Sequence, residues 1–380
     1  MNEAQLSWTE QDCPCTARWH AENGMPAPRR VQLADDTMNA DTAYRLACEG
    51  TALLWRGDFQ NARLLLQAMA RRAVRKPAKR KKGNVVKNAI SAEDFHLHRQ
   101  HQAQRARTLG MLLIPFDDDY AIPLRRAPDV REACEEAYGP ASGPFVASLR
   151  ELLGVIGAHE WRRKGVDIPA LGARIHPHYG VYSPVRGEYL DLVAQAPLPT
   201  RKLAFDIGTG TGVLAAVLAK RGVDRIIATD QSPRALACCR DNLQRLGLQR
   251  RVEIQEVDLF PDGQAPLIVC NPPWLPARAT SPLEQAVYDP DNRMLKGFLA
   301  GLAAHLTPGG EGWLILSDLA EHLGLRSRAF LLDEIERNGL KVLDRLDIRP
   351  RHGKAADDSD PLAAARQAEV TSLWRLAVKS

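Results

Sequence analysis

The sequence predicts an α/β fold, a mostly parallel sheet with helices on both faces, preceded by a mainly helical N-terminal region. Three observations carry this prediction. Apolar runs of strand length alternate with helical patterns from residue 202 onward. A glycine-rich turn, Asp206-Ile207-Gly208-Thr209-Gly210-Thr211-Gly212, joins the first of these strands to a helix, and Asn271-Pro272-Pro273-Trp274 ends a later strand about sixty residues on.

Residues 1–40 are rich in Pro, Asp, Asn and Thr with little periodicity, and read as a loose lead-in. Residues 41–180 read as the mainly helical region. Within it, Leu46, Leu53, Leu54, Leu64, Leu65 and Met69 recur at helical spacing with a break near Gly57-Asp58, which predicts a helix pair, and residues 131–161 predict further helix. Between them, Arg71 to Lys82 places eight Lys or Arg among twelve residues with no acid. Such a run serves either as a phosphate-binding arm, with salt-sensitive affinity for RNA, or as a solvated linker punctuated by Pro77 and Gly83.

Residues 181–380 form the α/β part. Strands are predicted at 202–207, 225–229, 252–257 and 267–270, with helices at 213–221 and after Pro233. Residues 275–293 show no period and stand where a substrate loop belongs. A helix at 294–306 is ended by Thr307-Pro308-Gly309-Gly310, then come a strand at 312–316 and a helix at 329–338 closed by Gly339. The last two strands, 341–348 and 370–378, flank an acidic loop around Asp357 to Asp360.

The glycine turn suits close approach of a ligand, because glycine adopts φ values closed to other residues and the following helix end offers free N–H groups. Its frame alone is ambiguous. Gly208-x-Gly210-x-Gly212 fits enzymes that use S-adenosylmethionine, and Gly210-x-Gly212-x-x-Ala215 fits a dinucleotide fingerprint. The surrounding acids favour the former. Asp206 suits the ammonium of a methionine moiety but would repel a pyrophosphate, Asp230 ends the second strand where a partner for ribose hydroxyls is expected, and Asp258 follows the third strand where an adenine amino group would lie.

Asn271-Pro272-Pro273-Trp274 suits a planar NH2. Such a nitrogen is a poor nucleophile because its lone pair is delocalised, and two oxygen acceptors that hold its hydrogens favour attack. Asn271 and the carbonyl of Pro272 supply them, the prolines stiffen the turn, and Trp274 offers a flat face. Asn-Pro is also a common turn dipeptide, and the alternative reading of the four residues is a turn that closes a strand.

With these motifs in place, the run from about Val181 to Ser380 resembles the class I S-adenosylmethionine-dependent methyltransferases with an Asn-Pro-Pro-aromatic motif, and is most similar to the release-factor glutamine methyltransferases. Trp274-Leu275-Pro276 and Tyr288-Asp289-Pro290 carry the closer match, while Pro184-Val185-Arg186-Gly187-Glu188 is a loose counterpart of a segment preceding the family's first strand. The resemblance implies a Rossmann-like seven-stranded methyltransferase sheet whose last strand inserts antiparallel. It also implies methyl transfer from S-adenosylmethionine to a protein glutamine amide, on a partner such as a translation factor. Alternatives are an N6-adenine methyltransferase of RNA or DNA, favoured by the basic stretch, and a non-catalytic nucleotide-binding protein.

A chain of 380 residues, 45% apolar, can bury more than one core. It has no run of eighteen apolar residues, and Met1 to Cys15 lacks the features of a signal peptide, so neither a membrane span nor export is expected and a cytoplasmic location is. The net charge of +5 is modest. Seven scattered cysteines make no disulfide framework, and Cys13-Pro14-Cys15 with His20 lacks the second pair of a zinc site, so no metal is expected.

Overall fold

The computed structural model describes residues 4–74, 91–185, 187–279, 283–350 and 362–379. Most of the basic stretch and the acidic loop around Asp357 lie outside them. Among the described residues the chain divides into two compact units, parting between Glu160 and Trp161, with the short segment ending at His96 belonging to the second.

The first unit is not mainly helical. It holds strands β1 (Gln5–Glu10), β2 (Cys13–Trp19) and β3 (Arg30–Ala34), then α1 (Ala40–Cys48), β4 (Thr51–Trp55), α2 (Phe59–Ala73), the greater part of α3 (Ala92–Leu109), β5 (Leu112–Phe116), α4 (Arg131–Tyr138), β6 (Phe145–Ser148) and the greater part of α5 (Leu149–Lys164). The strands form one mixed sheet in the order β1-β2-β6-β5-β4-β3. The expected lead-in over residues 1–40 is therefore three strands. β1 and β2 pair antiparallel across Gln11-Asp12, both at positive φ (50° and 61°), the signature of a tight turn that matches strand twist. Neither residue is the glycine or asparagine that usually announces that turn. The expected helix pair at 43–73 is α1 and α2 with β4 between them. Thr51–Trp55 is buried almost throughout, and so short an apolar run has no period that separates strand from helix.

The second unit opens with a small hairpin, β7 (Val166–Ile168) and β8 (Ala173–Ile175), and α6 (Glu188–Gln195). Then β9 (Leu203–Ile207), α7 (Val213–Lys220), β10 (Arg225–Asp230), α8 (Pro233–Arg245), β11 (Val252–Glu256) and β12 (Ala265–Cys270) follow in α/β alternation. After a loop come α9 (Arg293–His305), β13 (Leu306–Ser317), α10 (Leu319–His322), α11 (Arg328–Arg337), β14 (Leu340–Ile348), α12 (Ala363–Ala368) and β15 (Thr371–Val378). The sheet runs β11-β10-β9-β12-β13-β15-β14, and β15 inserts antiparallel to both neighbours. β13 starts earlier than predicted, since Leu306 already pairs with Ala265 and the Thr307 to Gly310 segment is absorbed as a register shift.

Both faces of this sheet are covered. Alternate residues of one strand enter different cores: Leu267, Val269, Trp313 and Ile315 pack with α6 and α7, whereas Ile268, Cys270, Leu314 and Leu316 pack with α9 and α11. That two-sided burial leaves the carboxyl ends of the strands as the exposed edge, where open α/β sheets place ligands. No helix among the described residues is long and apolar enough to cross a membrane, and no cluster of His, Cys, Asp or Glu there could hold a metal ion.

Candidate active site

Three neighbouring strands deliver the predicted residues to one edge. In the parallel register Ile207 stands beside Thr229 on one side and Cys270 on the other. The next residues, Gly208, Asp230 and Asn271, therefore leave the sheet at the same level, with strands about 4.8 Å apart.

The glycine turn is knitted by its own acids. Gly208, Gly210 and Gly212 all take positive φ (71°, 55° and 80°), which L side chains rarely adopt. Asp206 is fully buried, and its Oδ2 accepts from Thr209 Oγ1 (2.6 Å) and from the amide of Ala215 at the start of α7 (3.1 Å). The Gly210 amide donates to Asp230 Oδ2 (3.0 Å), Thr209 N donates to the Thr229 carbonyl (2.8 Å), and Asn242 Nδ2 holds the Thr211 carbonyl (3.1 Å). Burial pushes the Asp206 carboxyl up to about 6 against the pull of the Thr209 and Ala215 bonds, and nearby Asp230 adds to the rise. Asp230 is also raised, first by burial, with the amides of Ser232, Gly210 and Gln231 opposing.

Gly212 is also sterically required, whereas at Gly208 the crowding comes from the flexible tip of Met294. A Cβ on Gly208 would lie 2.5 Å from Met294 Cε, and one on Gly212 would lie 2.8 Å from Cys239 Sγ and 3.3 Å from the Cys239 Cα. Gly212→Ala is expected to cost about 1–3 kcal/mol, read as a lower urea midpoint at unchanged slope. A variant with the wild-type midpoint would show that the loop is not held in this conformation.

At the exit of β12, Asn271 is held by its own motif. The indole Nε1 of Trp274 donates to Asn271 Oδ1 (2.9 Å). Trp274 is half-buried and packs against both cores, so its ring is part of the sheet edge as well as a surface. Beyond it, Leu275 N donates to the Val287 carbonyl (3.2 Å) and Asp289 N to the Leu275 carbonyl (2.8 Å), closing the intervening loop at its base. Buried Asp289 then accepts from the amides of Met294 (2.9 Å) and Leu295 (3.1 Å) and so caps α9.

Asp258 differs from the other acids. It lies two residues past β11, is about half exposed (48%), and its Oδ2 accepts from the guanidinium of Arg293. Sequence reasoning did not single out Asn242, which holds the Thr211 carbonyl of the loop. Asn242, a buried polar residue in mid-helix, was a detectable anomaly in an otherwise ordinary amphipathic pattern.

Residues 174–334 match the model of the methyltransferase small domain family. The chain is 34% identical over 166 residues to a release factor glutamine methyltransferase of Cereibacter sphaeroides, covering 39% of this chain and 56% of that protein. A release factor glutamine methyltransferase of Deinococcus radiodurans is 40% identical over 162 residues (39% and 54%), and a ribosomal protein L11 methyltransferase of Tolumonas auensis is 31% identical over 122 residues (32% and 42%). The chain thus spans about half the length of the curated relatives it matches. Motif, register and relatives agree: the second unit carries the match to the methyltransferase small domain family and resembles the S-adenosylmethionine-dependent release-factor glutamine methyltransferases.

Proposed function

We propose that this protein methylates a planar NH2 group, and that its acceptor is the side-chain amide of a protein glutamine. The observation that carries the reading is the register that sets Asn271 beside Gly208, so that an oxygen acceptor and the cofactor loop leave adjacent strands at one level. S-adenosylmethionine supplies a methyl carbon activated by its sulfonium. Its fit to the loop rests on Asp206, whose buried Oδ1 has no hydrogen-bond partner and suits an ammonium group. The open space beside Gly210 leaves room for a ligand against the backbone. Asp230 would take ribose hydroxyls, and Asp258, bonded to Arg293 through one oxygen, would offer the other to an adenine amino group.

On the acceptor side, Asn271 Oδ1 has a second lone pair beyond the one Trp274 uses, and the Pro272 carbonyl provides a second acceptor. Together they would hold both amide hydrogens and turn the nitrogen lone pair toward the methyl carbon. No general base is needed in that step, since the charged product nitrogen can release its proton afterwards. The relatives named for release factors favour a protein acceptor from the translation apparatus, and Arg71–Lys82 supports an accompanying RNA contact.

The test is to incubate the protein with radiolabelled S-adenosylmethionine and cell lysate, then digest. Label lost to protease but surviving nuclease is expected. Label lost to nuclease would overturn the glutamine reading in favour of an adenine acceptor, and cofactor binding without label in either fraction would indicate a non-catalytic binding protein.

A further inference from the structure

Asn242 is a carboxamide in the middle of α8 that is 1% exposed, and its oxygen and amino group reach the backbone of two other segments. The oxygen accepts from the His176 amide (2.7 Å), while the amino group donates to the His176 carbonyl (3.2 Å) and to the Thr211 carbonyl (3.1 Å). Its orientation is fixed by these partners, because a rotated carboxamide would set oxygen against carbonyl and amino group against N–H. The Thr211 bond acts on the cofactor loop itself. The peptide between Thr211 and Gly212 is gripped on both sides, its carbonyl by Asn242 and its N–H by the Thr209 carbonyl (2.9 Å). Gly212, at φ 80°, has no Cβ to resist rotation of that plane, so the two bonds decide which way the loop presents it. The His176 bonds tie the same side chain to the segment from His176 to Tyr179, between β8 and α6. Neighbouring residues of α8 hold that segment as well: His178 Nε2 lies 3.1 Å from Asp241 Oδ2, the His178 amide donates to Cys238 Sγ (3.4 Å), and the Arg234 guanidinium lies over the Tyr179 ring (5.6 Å).

We propose that Asn242 is a positioning residue for the cofactor loop: it fixes the Thr211–Gly212 peptide and makes docking of the His176–Tyr179 segment on α8 a condition of tight S-adenosylmethionine binding. The inference rests on the methyltransferase reading above. One rigid carboxamide serves both segments, so a displacement of His176 pulls on the group that holds Thr211. Asp241 stands on the far side of this linkage. Its oxygens meet His178, Arg162 (3.5 Å) and Arg245 (3.1 Å), so it can influence the loop only through the docked segment and Asn242.

The experiment is a double-mutant cycle on the full chain, read as the dissociation constant for S-adenosylmethionine by calorimetry well below the thermal midpoint of each variant. Asn242→Asp keeps the size of the side chain and the acceptor for the His176 amide but removes both donors, and is expected to weaken binding about tenfold. Asp241→Ala loosens the segment without touching the carboxamide and is expected to weaken binding about threefold. In the Asn242→Asp background Asp241→Ala is expected to add nothing, since the linkage is already cut. Wild-type affinity in Asn242→Asp, even beside a lowered thermal midpoint, would make Asn242 a packing residue only and overturn the proposal. Losses that multiply in the double variant would overturn the coupling, and so would wild-type affinity in Asp241→Ala, which decides the matter if Asn242→Asp fails to fold. A wild-type chain that does not bind S-adenosylmethionine would overturn the methyltransferase reading, and this inference with it.

Discussion

Asn271→Ala is expected to lower turnover about a hundredfold or more, the size of effect seen when one preorganised transition-state contact is removed, while the dissociation constant for S-adenosylmethionine stays within about twofold. The split follows from the register. Asn271 extends from β12, whereas the cofactor loop is built from β9, α7 and Asp230, and its internal bonds from Asp206, Thr229 and Asn242 do not involve Asn271. Substituting alanine removes an acceptor at the nitrogen without unpicking that loop. It also leaves the Trp274 N–H without its Asn271 partner, so some local loosening is expected, visible as a lower thermal midpoint. The decisive comparison is single-turnover rate against cofactor affinity in the same preparation. An unchanged rate would remove Asn271 from the chemistry; a lost cofactor affinity would make it a structural support of the binding loop.

The second unit was legible in the sequence because its central strands are buried on both faces. Residues 267–270 were predicted where Ala265–Cys270 stands, since such a strand reads as an apolar run cut off by Asn and Pro, and 252–257 was predicted where the edge strand Val252–Glu256 alternates apolar and polar residues. The antiparallel insertion of β15 came from family resemblance, and no residue pattern in Thr371–Val378 distinguishes it from a parallel strand. In the first unit the same reasoning failed. β4 lies between two helices as a five-residue apolar run, and Gly50, at φ 81° past the end of α1, was the punctuation that separated them. β1 and β2 alternate in exposure along a solvated hairpin, so their apolar content is too low to signal a strand.

The candidate site was legible in part. Gly208, Gly210, Gly212, Asp206 and Asp230 were read from spacing, and they share one hydrogen-bonded loop. Trp274 was read as a flat face for substrate; its indole N–H additionally restrains Asn271, which spacing along the chain cannot express. Asn242 lies 31 positions after Thr211 and holds its carbonyl only through tertiary packing, which spacing along the chain does not express.

Acidification is expected to weaken S-adenosylmethionine binding through Asp206. In the free protein burial raises this carboxyl from 3.8 to about 6, so it is largely protonated at pH 5 and largely ionised at pH 7. An ammonium partner requires the ionised form, so binding below about pH 6 must expel a proton, and the dissociation constant is expected to rise toward tenfold per pH unit. The effect on the free fold has the opposite sign. Between the unfolded value of 3.8 and the folded value of about 6 the native chain holds a proton that the unfolded chain has lost; the contribution of this group to stability is complete below that window and declines as pH rises through it. Stabilisation of the free chain and loss of the cofactor should therefore occur together on acidification, which general acid denaturation would not produce. Asp230, also raised by burial, is separated by the Asp206→Asn variant, which is expected to bind the cofactor at least tenfold more weakly at pH 7 and to lose most of the pH dependence between 5 and 7. Calorimetry across that range decides the matter: a dissociation constant that stays flat in the wild-type protein would mean that Asp206 does not receive the ammonium, and that its buried, unpartnered oxygen serves the loop alone.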